Sequence, residues 1–367
     1  MKILYLHIGL PKTATTSIQF FCFENREILK NKGYCYPLFP CSNISETRNA
    51  HFLLESITDE NGNENREKTE LARQKHYREI EILFEKYDNI VLSDEALWHK
   101  LCGVKSNLWN ELLAQSEKGG YELKVILYLR RQDTFAESWW NQSVKMNGRV
   151  LDVPWEDFIK ERYLHIDYAR EIQKIEKLIG EENLIVRRFE KRNLKNQDII
   201  HDFLDVIGLE YGDEFAEMSQ NRNISLLGNT HEIKRILNKL PMLDREGNDF
   251  VKYCLQDIAP ISGARYPSRM FSQQEAENFL EQFEEGNAWI KDKYFPEEEG
   301  NLFDYAMSGG EKWEKENPYM QDDIILFMGA AMLRMNRQIQ RLEERNEKLY
   351  FYLRHPIRGL VRKVFRK

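Results

Sequence analysis

Along the first 210 residues, short apolar runs alternate with amphipathic stretches. Residues 2–8, Lys-Ile-Leu-Tyr-Leu-His-Ile, form the first run, and Gly9 and Pro11 end it. A helical stretch follows, opened by hydroxyl residues and carrying Ile18, Phe21, Phe23 and Leu29. Further runs stand at 89–97, 123–130 and 183–189, with helical patterns at 71–87, from about Asp133 to Met146, and around 167–179. Apolar runs this short read as buried strands, and their alternation with helices predicts a parallel sheet covered on both faces. The polar stretch 58–70 reads as an exposed loop.

Beyond about residue 210, strand-like runs give way to helical patterns near 228–240, 246–258 and 272–293. The expected organisation is an α/β core at 1–210, a helical region at 211–320 and a distinct C-terminal segment at 321–367. In that segment Ile325, Met328, Met332, Met335, Ile339, Leu342, Asn346 and Leu349 recur at spacings of alternately three and four. This is a heptad seam, which either pairs two chains in a coiled coil, with Asn346 setting the register, or packs on its own domain. The tail at 353–367 sets Leu353, Ile357, Leu360, Val361, Val364 and Phe365 among six cations and no acid. It reads as a basic amphipathic segment for an anionic membrane surface, or as a solvated end.

Hydrophobic residues make up 42% of the 367, enough for one large domain or a domain with an insertion. The net charge of -7 argues against a chain built to coat nucleic acid but leaves room for a local anion site. The five cysteines are odd in number and form no C-x-x-C pair, so free thiols are expected, with neither disulfides nor structural zinc. No run approaches the length of a membrane span, and the N-terminus lacks the pattern of a signal peptide. The expected location is the cytoplasm, with contact at the inner membrane face through the tail as the alternative to a freely soluble chain.

The candidate chemistry starts at Gly9–Ser17, Gly-Leu-Pro-Lys-Thr-Ala-Thr-Thr-Ser, between a strand and a helix. Gly9 permits a sharp turn and close backbone approach. The first N–H groups of the helix and its positive dipole end suit a phosphate-like anion. Lys12 adds a charge, and Thr13, Thr15, Thr16 and Ser17 add hydroxyls. A Walker A loop is excluded, because it needs a second glycine and a lysine beside the magnesium-binding hydroxyl, whereas here Lys12 comes early and position 14 is Ala14.

The Pro11-Lys12-Thr13-x-Thr15-Thr16 order resembles the 5′-phosphosulfate loop of the sulfotransferases that use 3′-phosphoadenosine-5′-phosphosulfate (PAPS). A second motif agrees with it. Arg130 ends the third run and Ser138 follows eight residues later; in that family an arginine and a serine so spaced hold the 3′-phosphate. Gln132 stands where the family usually has proline, which leaves Arg130 and Arg131 both open for the role. The wording of both motifs is similar to bacterial sulfotransferases that act on glycans.

The resemblance implies a P-loop-like fold, PAPS as co-substrate without a metal, and transfer of a sulfuryl group to a hydroxyl of a glycan, a lipid-linked saccharide or a small acceptor. It implies PAPS contacts from Gly9, Pro11, Lys12, Thr13, Ala14, Thr15, Thr16, Ser17, Arg130 and Ser138. Acceptor contacts are expected from the helical region after 210. Lys12 is expected to stabilise the leaving phosphate. For the base that takes the acceptor proton, Glu95 is favoured, with Asp94 as the neighbour in register and His51 as runner-up. His7 reads as a strand-end residue, and Trp139 and Trp140 as core or nucleotide-pocket packing. The competing functions are a P-loop small-molecule kinase and a nucleotide- or glycan-binding protein without catalysis.

Overall fold

The structure, a computed structural model, describes residues 1–39, 41, 44–102, 107–146, 151–160, 165–216, 225–241, 244–305 and 311–354. Its five strands are β1 (Ile3–His7), β2 (Tyr34–Cys35), β3 (Asn89–Ser93), β4 (Glu122–Leu129) and β5 (Leu184–Arg188). They form one sheet in the order β2-β3-β1-β4-β5, with every pairing parallel. The helices, in chain order, are α1 (Thr15–Glu24), α2 (Arg26–Asn31), α3 (Arg66–Leu83), α4 (Ala96–Leu101), α5 (Leu108–Gly119), α6 (Gln132–Lys145) and α7 (Trp155–Phe158). They continue with α8 (Tyr168–Ile179), α9 (Ile199–Val206), α10 (Thr230–Leu237), α11 (Arg245–Arg265), α12 (Gln273–Glu281), α13 (Glu284–Tyr294) and α14 (Met320–Arg354).

The α/β, P-loop-like parallel sheet expected from the sequence is therefore present, flanked by helices and followed by a helical C-terminal region. Alternation along the strands divides the core. Leu4, Leu6, Ile90, Leu92, Val125 and Leu127 face one apolar layer, which Tyr77, Trp98, Leu112 and Ile172 of the helices complete. Tyr5, Val91, Ile126 and Tyr128 face the other, closed by Ile18, Phe21 and Phe203. Successive strand residues point to opposite faces, so a strand buried on both sides must be apolar throughout. The strand β2 was not expected, because two residues carry no period.

The chain divides into two compact units. The first holds Met1–Trp139, Glu161–Arg222 and Gln273–Ser308, so residues 273–308 return to the unit of the sheet. The second holds Trp140–Lys160, Asn223–Ser272 and Gly309–Lys367. In it Leu226, Ile233, Val251, Leu255 and Ile258 form a core, against which Leu326, Phe327 and Ala330 of α14 pack. Buried Asp323 anchors the start of α14, accepting from Asn229 Nδ2 at 2.9 Å, from Ser262 Oγ at 2.5 Å and from Arg265. The basic tail lies outside the described residues from 355 onward. Among the described residues, no helix is long and apolar enough to cross a membrane.

Candidate functional site

Because β1 lies between β3 and β4, the loop that leaves it is flanked by the carboxyl ends of both neighbours. In open α/β sheets this edge binds ligands. The chain runs on beside β4 past the end of β1: Leu10 N–H donates to Tyr128 O at 3.2 Å, and Tyr128 N–H to Gly9 O at 2.9 Å. At Gly9 φ is +102°, and a Cβ there would stand 3.1 Å from Pro11 N and 3.3 Å from Glu95 Cα and Cβ. Gly9→Ala should therefore lower stability by about 1–3 kcal/mol, the usual cost of a side chain in such backbone. Chemical denaturation checks this, and an unchanged midpoint would show that the turn relaxes freely.

Pro11 is buried, and the backbone then turns left-handed at Lys12 (φ 67°) and again at Ala14 (φ 57°). Alternating backbone handedness gathers N–H groups into a concavity that suits anions. Thr13 Oγ1 and Thr15 Oγ1 both donate to Leu10 O, at 2.6 and 3.2 Å. In the described structure these two hydroxyls donate within the loop itself. Ser17 N–H and Ile18 N–H bond Ala14 O. The N–H groups of Thr15 and Thr16 have no acceptor among the described residues. Thr16 is exposed and Ser17 half-buried, so their hydroxyls remain accessible.

Two cations serve this loop. Arg130, at the end of β4, donates from Nη1 to Lys12 O at 2.9 Å and from Nε to Thr134 Oγ1 at 3.2 Å. Tyr168 Oη donates to Arg130 O at 2.8 Å and fixes the strand end. Burial lowers the Arg130 pKa. Burial also pushes the Lys12 ammonium down from the ordinary lysine range, and the Arg130 charge pushes it the same way. Neither cation has a carboxylate in ion-pair contact among the described residues. Arg131 differs, because Asp133 holds it through Nε at 2.7 Å and Nη2 at 2.9 Å. Of the two arginines left open by the sequence, Arg130 is thus the one turned to the loop. Ser138 is half-buried on α6, one helical turn beyond Thr134, so Arg130, Thr134 and Ser138 recur at spacings of four. Sequence reasoning missed Thr134, although it sits midway between the two residues that it named.

The other flank is acidic. Asp94 is buried and fully engaged: it accepts from Arg48 at 2.6 and 3.2 Å, from Ala96 N–H at 2.8 Å and from His51 Nδ1 at 2.9 Å. Burial alone would raise its pKa, but the hydrogen bonds of His51 and Arg48 and the Arg48 charge outweigh it, and the net shift is downward. Asp94 is therefore a fixed carboxylate rather than a free base. Glu95 stands at the N-cap position of α4 without a side-chain capping bond, is half-buried, and accepts from Gln19 Nε2 at 2.9 Å, with Arg48 Nε 3.9 Å from its other oxygen. With the Asp94 carboxylate accepting from Nδ1–H, His51 presents Nε2 as its basic nitrogen. Gln19 and Arg48 were not foreseen. The signal for the first is a polar residue beside Ile18 on the buried face of α1; for the second it is an arginine three residues before His51.

His7 is buried and bonds Ser93 Oγ at 2.9 Å, and burial pushes its pKa down to about 3, so it stays neutral and structural. Trp139 stacks on Phe135, and Trp140 is buried. Elsewhere, Cys102, His165 and Glu171 each bring one possible ligand atom within 4.8 Å of the others. These could hold a metal ion, a juxtaposition that spacing along the chain does not reveal. Lys174 Nζ already contacts both Glu171 oxygens, at 2.9 and 3.0 Å, and competes with such a use.

No protein-family model matches the chain. An uncharacterized protein of Archaeoglobus fulgidus is similar to it, 27% identical over 173 residues. The match covers 47% of this chain and 46% of that protein, so it spans about half the length of the relative. Among solved structures, a sulfotransferase domain from the curacin biosynthetic pathway is similar over 77% of this chain and 96% of its own, with 11% identity and a TM-score of 0.33.

Proposed function

We propose that the chain is a sulfotransferase that moves a sulfuryl group from PAPS to a hydroxyl, which the motif resemblance reads as that of a glycan or lipid-linked saccharide. One observation carries the reading. Lys12 and Arg130 are half-buried at one loop, the Arg130 charge opposes that of Lys12, and neither makes an ion-pair contact with a carboxylate among the described residues, although the charges of Glu137 and Asp133 act on Arg130. Buried like charges in this arrangement are stabilised by an anion. A ligand with phosphates at two places would engage the loop N–H groups and Lys12 with its 5′ end, and Arg130 and Ser138 with its 3′-phosphate.

In the transfer, the acceptor oxygen bonds to sulfur as the bond from sulfur to the 5′-phosphate oxygen breaks. The electron pair stays on the phosphate, whose growing charge Lys12 and the loop N–H groups stabilise. The hydroxyl proton passes to Glu95. The Asp94–His51 hydrogen bond favours His51 as the second reading for that base, since an orienting carboxylate is what a histidine base needs.

Calorimetry with 3′-phosphoadenosine-5′-phosphate and with ATP plus magnesium tests the proposal. Tight binding of the first and weak binding of the second supports it, and the reverse order would point to a kinase. Arg130→Ala should weaken binding of the 3′,5′-bisphosphate by about 1.5–3 kcal/mol, the worth of a hydrogen bond to a charged group. Adenosine 5′-phosphosulfate, which lacks the 3′-phosphate, should lose much less. Equal losses for the two ligands would make Arg130 a loop support only.

A further inference from the structure

The first turns of α14 pack inward through one side of the helix. Leu326, Phe327 and Ala330 lie against the core of their unit, and Arg334 pairs with Asp257 of α11 at 2.7 and 2.8 Å. The heptad seam runs along the opposite side. Ile325, Met328, Met332, Met335, Ile339, Leu342 and Leu349 are each 51–66% exposed. At about 100° per residue, the two stripes stand roughly 140° apart around the helix. The unit's own core therefore does not use the seam. From Met335 to Leu353 every described side chain is exposed. A helix of that length whose seam stays exposed among the described residues is marginal in water, and its stability comes from what its apolar face meets.

We propose that the occupant of this seam is the same seam of a second copy of the chain, in a parallel, in-register coiled coil. Three observations select this partner. Asn346 falls at an a position, between Leu342 and Leu349 at d positions. A buried asparagine is satisfied by its own copy across a parallel, in-register dimer, whereas an antiparallel or shifted partner would set it against an apolar side chain. The flanking positions raise no charge conflict. In a parallel dimer, Gln338 faces Glu343 of the partner subunit and Arg345 faces Tyr350 of the partner subunit, so no like charges meet. The extent also agrees, since the seam from Ile325 to Leu353 runs about 42 Å along the helix, and two such half-exposed stripes can bury area of the order that a stable dimer needs, about 1,200–2,000 Å².

Analytical ultracentrifugation of the full chain at micromolar concentration tests this. The dimer is expected, and the double variant M332E/L342E should sediment as a folded monomer that still binds 3′-phosphoadenosine-5′-phosphate with unchanged affinity. Leu349→Cys should cross-link to its own copy under mild oxidation, as a d position does only in a parallel register. A monomeric parent chain, or a dimer that survives M332E/L342E, overturns the proposal. A dimer whose Cys-substituted form never cross-links overturns the parallel register. The variant Asn346→Leu should raise the oligomer above two, and an unaltered dimer would remove the asparagine from the account.

Discussion

Lys12→Ala is expected to lower kcat/KM about 100- to 1,000-fold, the usual loss when a charge-stabilising donor is taken from a reacting oxyanion. The fold should survive, because the ammonium makes no ion pair in the described structure and the loop is held by Thr13, Thr15 and the Arg130 bond to Lys12 O. Stability should even rise. Lys12 and Arg130 repel each other in a poorly solvated place, and the variant ends that repulsion. The pH dependence has a definite sign. Burial and Arg130 depress the Lys12 pKa in the folded chain below its ordinary 10.5, so the unfolded chain binds that proton more tightly. Stability contributed by the site therefore increases as pH rises toward 10.5, and Lys12→Met should flatten that slope. Thermal melts across this alkaline range measure it. A variant that turns over PAPS near the parent rate, or that unfolds at ambient temperature, refutes the assignment.

The second large effect belongs to Glu95. Glu95→Gln should lower kcat by about 100-fold or more, the scale of a lost general base, with little change in nucleotide affinity. Glutamine keeps the size of the side chain, and its amide oxygen can still accept from Gln19, so the local packing should hold. His51→Gln is the control. If it shows the kcat loss and Glu95→Gln does not, the Asp94–His51 pair carries the proton and Glu95 serves only to support the loop.

How much of this was legible in the chain depends on distance. The strand–loop–helix at Gly9–Ser17 was readable, as was the strand-to-helix passage that carries Arg130 and Ser138, because each lies within one short segment, where spacing is geometry. The choice between Asp94 and Glu95 was not, since adjacent residues at a strand end point different ways, and a register error of one residue exchanges them. What separates the two is that Arg48 engages Asp94, and it comes from a segment 46 residues away. Likewise the sequence does not show that the hydroxyls of Thr13 and Thr15 have an acceptor within the loop, Leu10 O. The helices from 273 onward are amphipathic in any reading, but an apolar stripe does not name its partner. Nothing in the sequence of α12 and α13 says that they return to the unit of the sheet.

On the proposed reaction, the lack of an ion-paired carboxylate at Lys12 and Arg130 among the described residues also governs how the cycle ends. Loss of the sulfuryl group leaves a bisphosphate with anions still at both places, so the site grips spent nucleotide no less than fresh. Its escape must expose two cations to each other again, with little water or salt to soften the repulsion. On that reaction, egress rather than bond cleavage is expected to set the pace of turnover, with the occupied form as the resting one in a cell supplied with nucleotide.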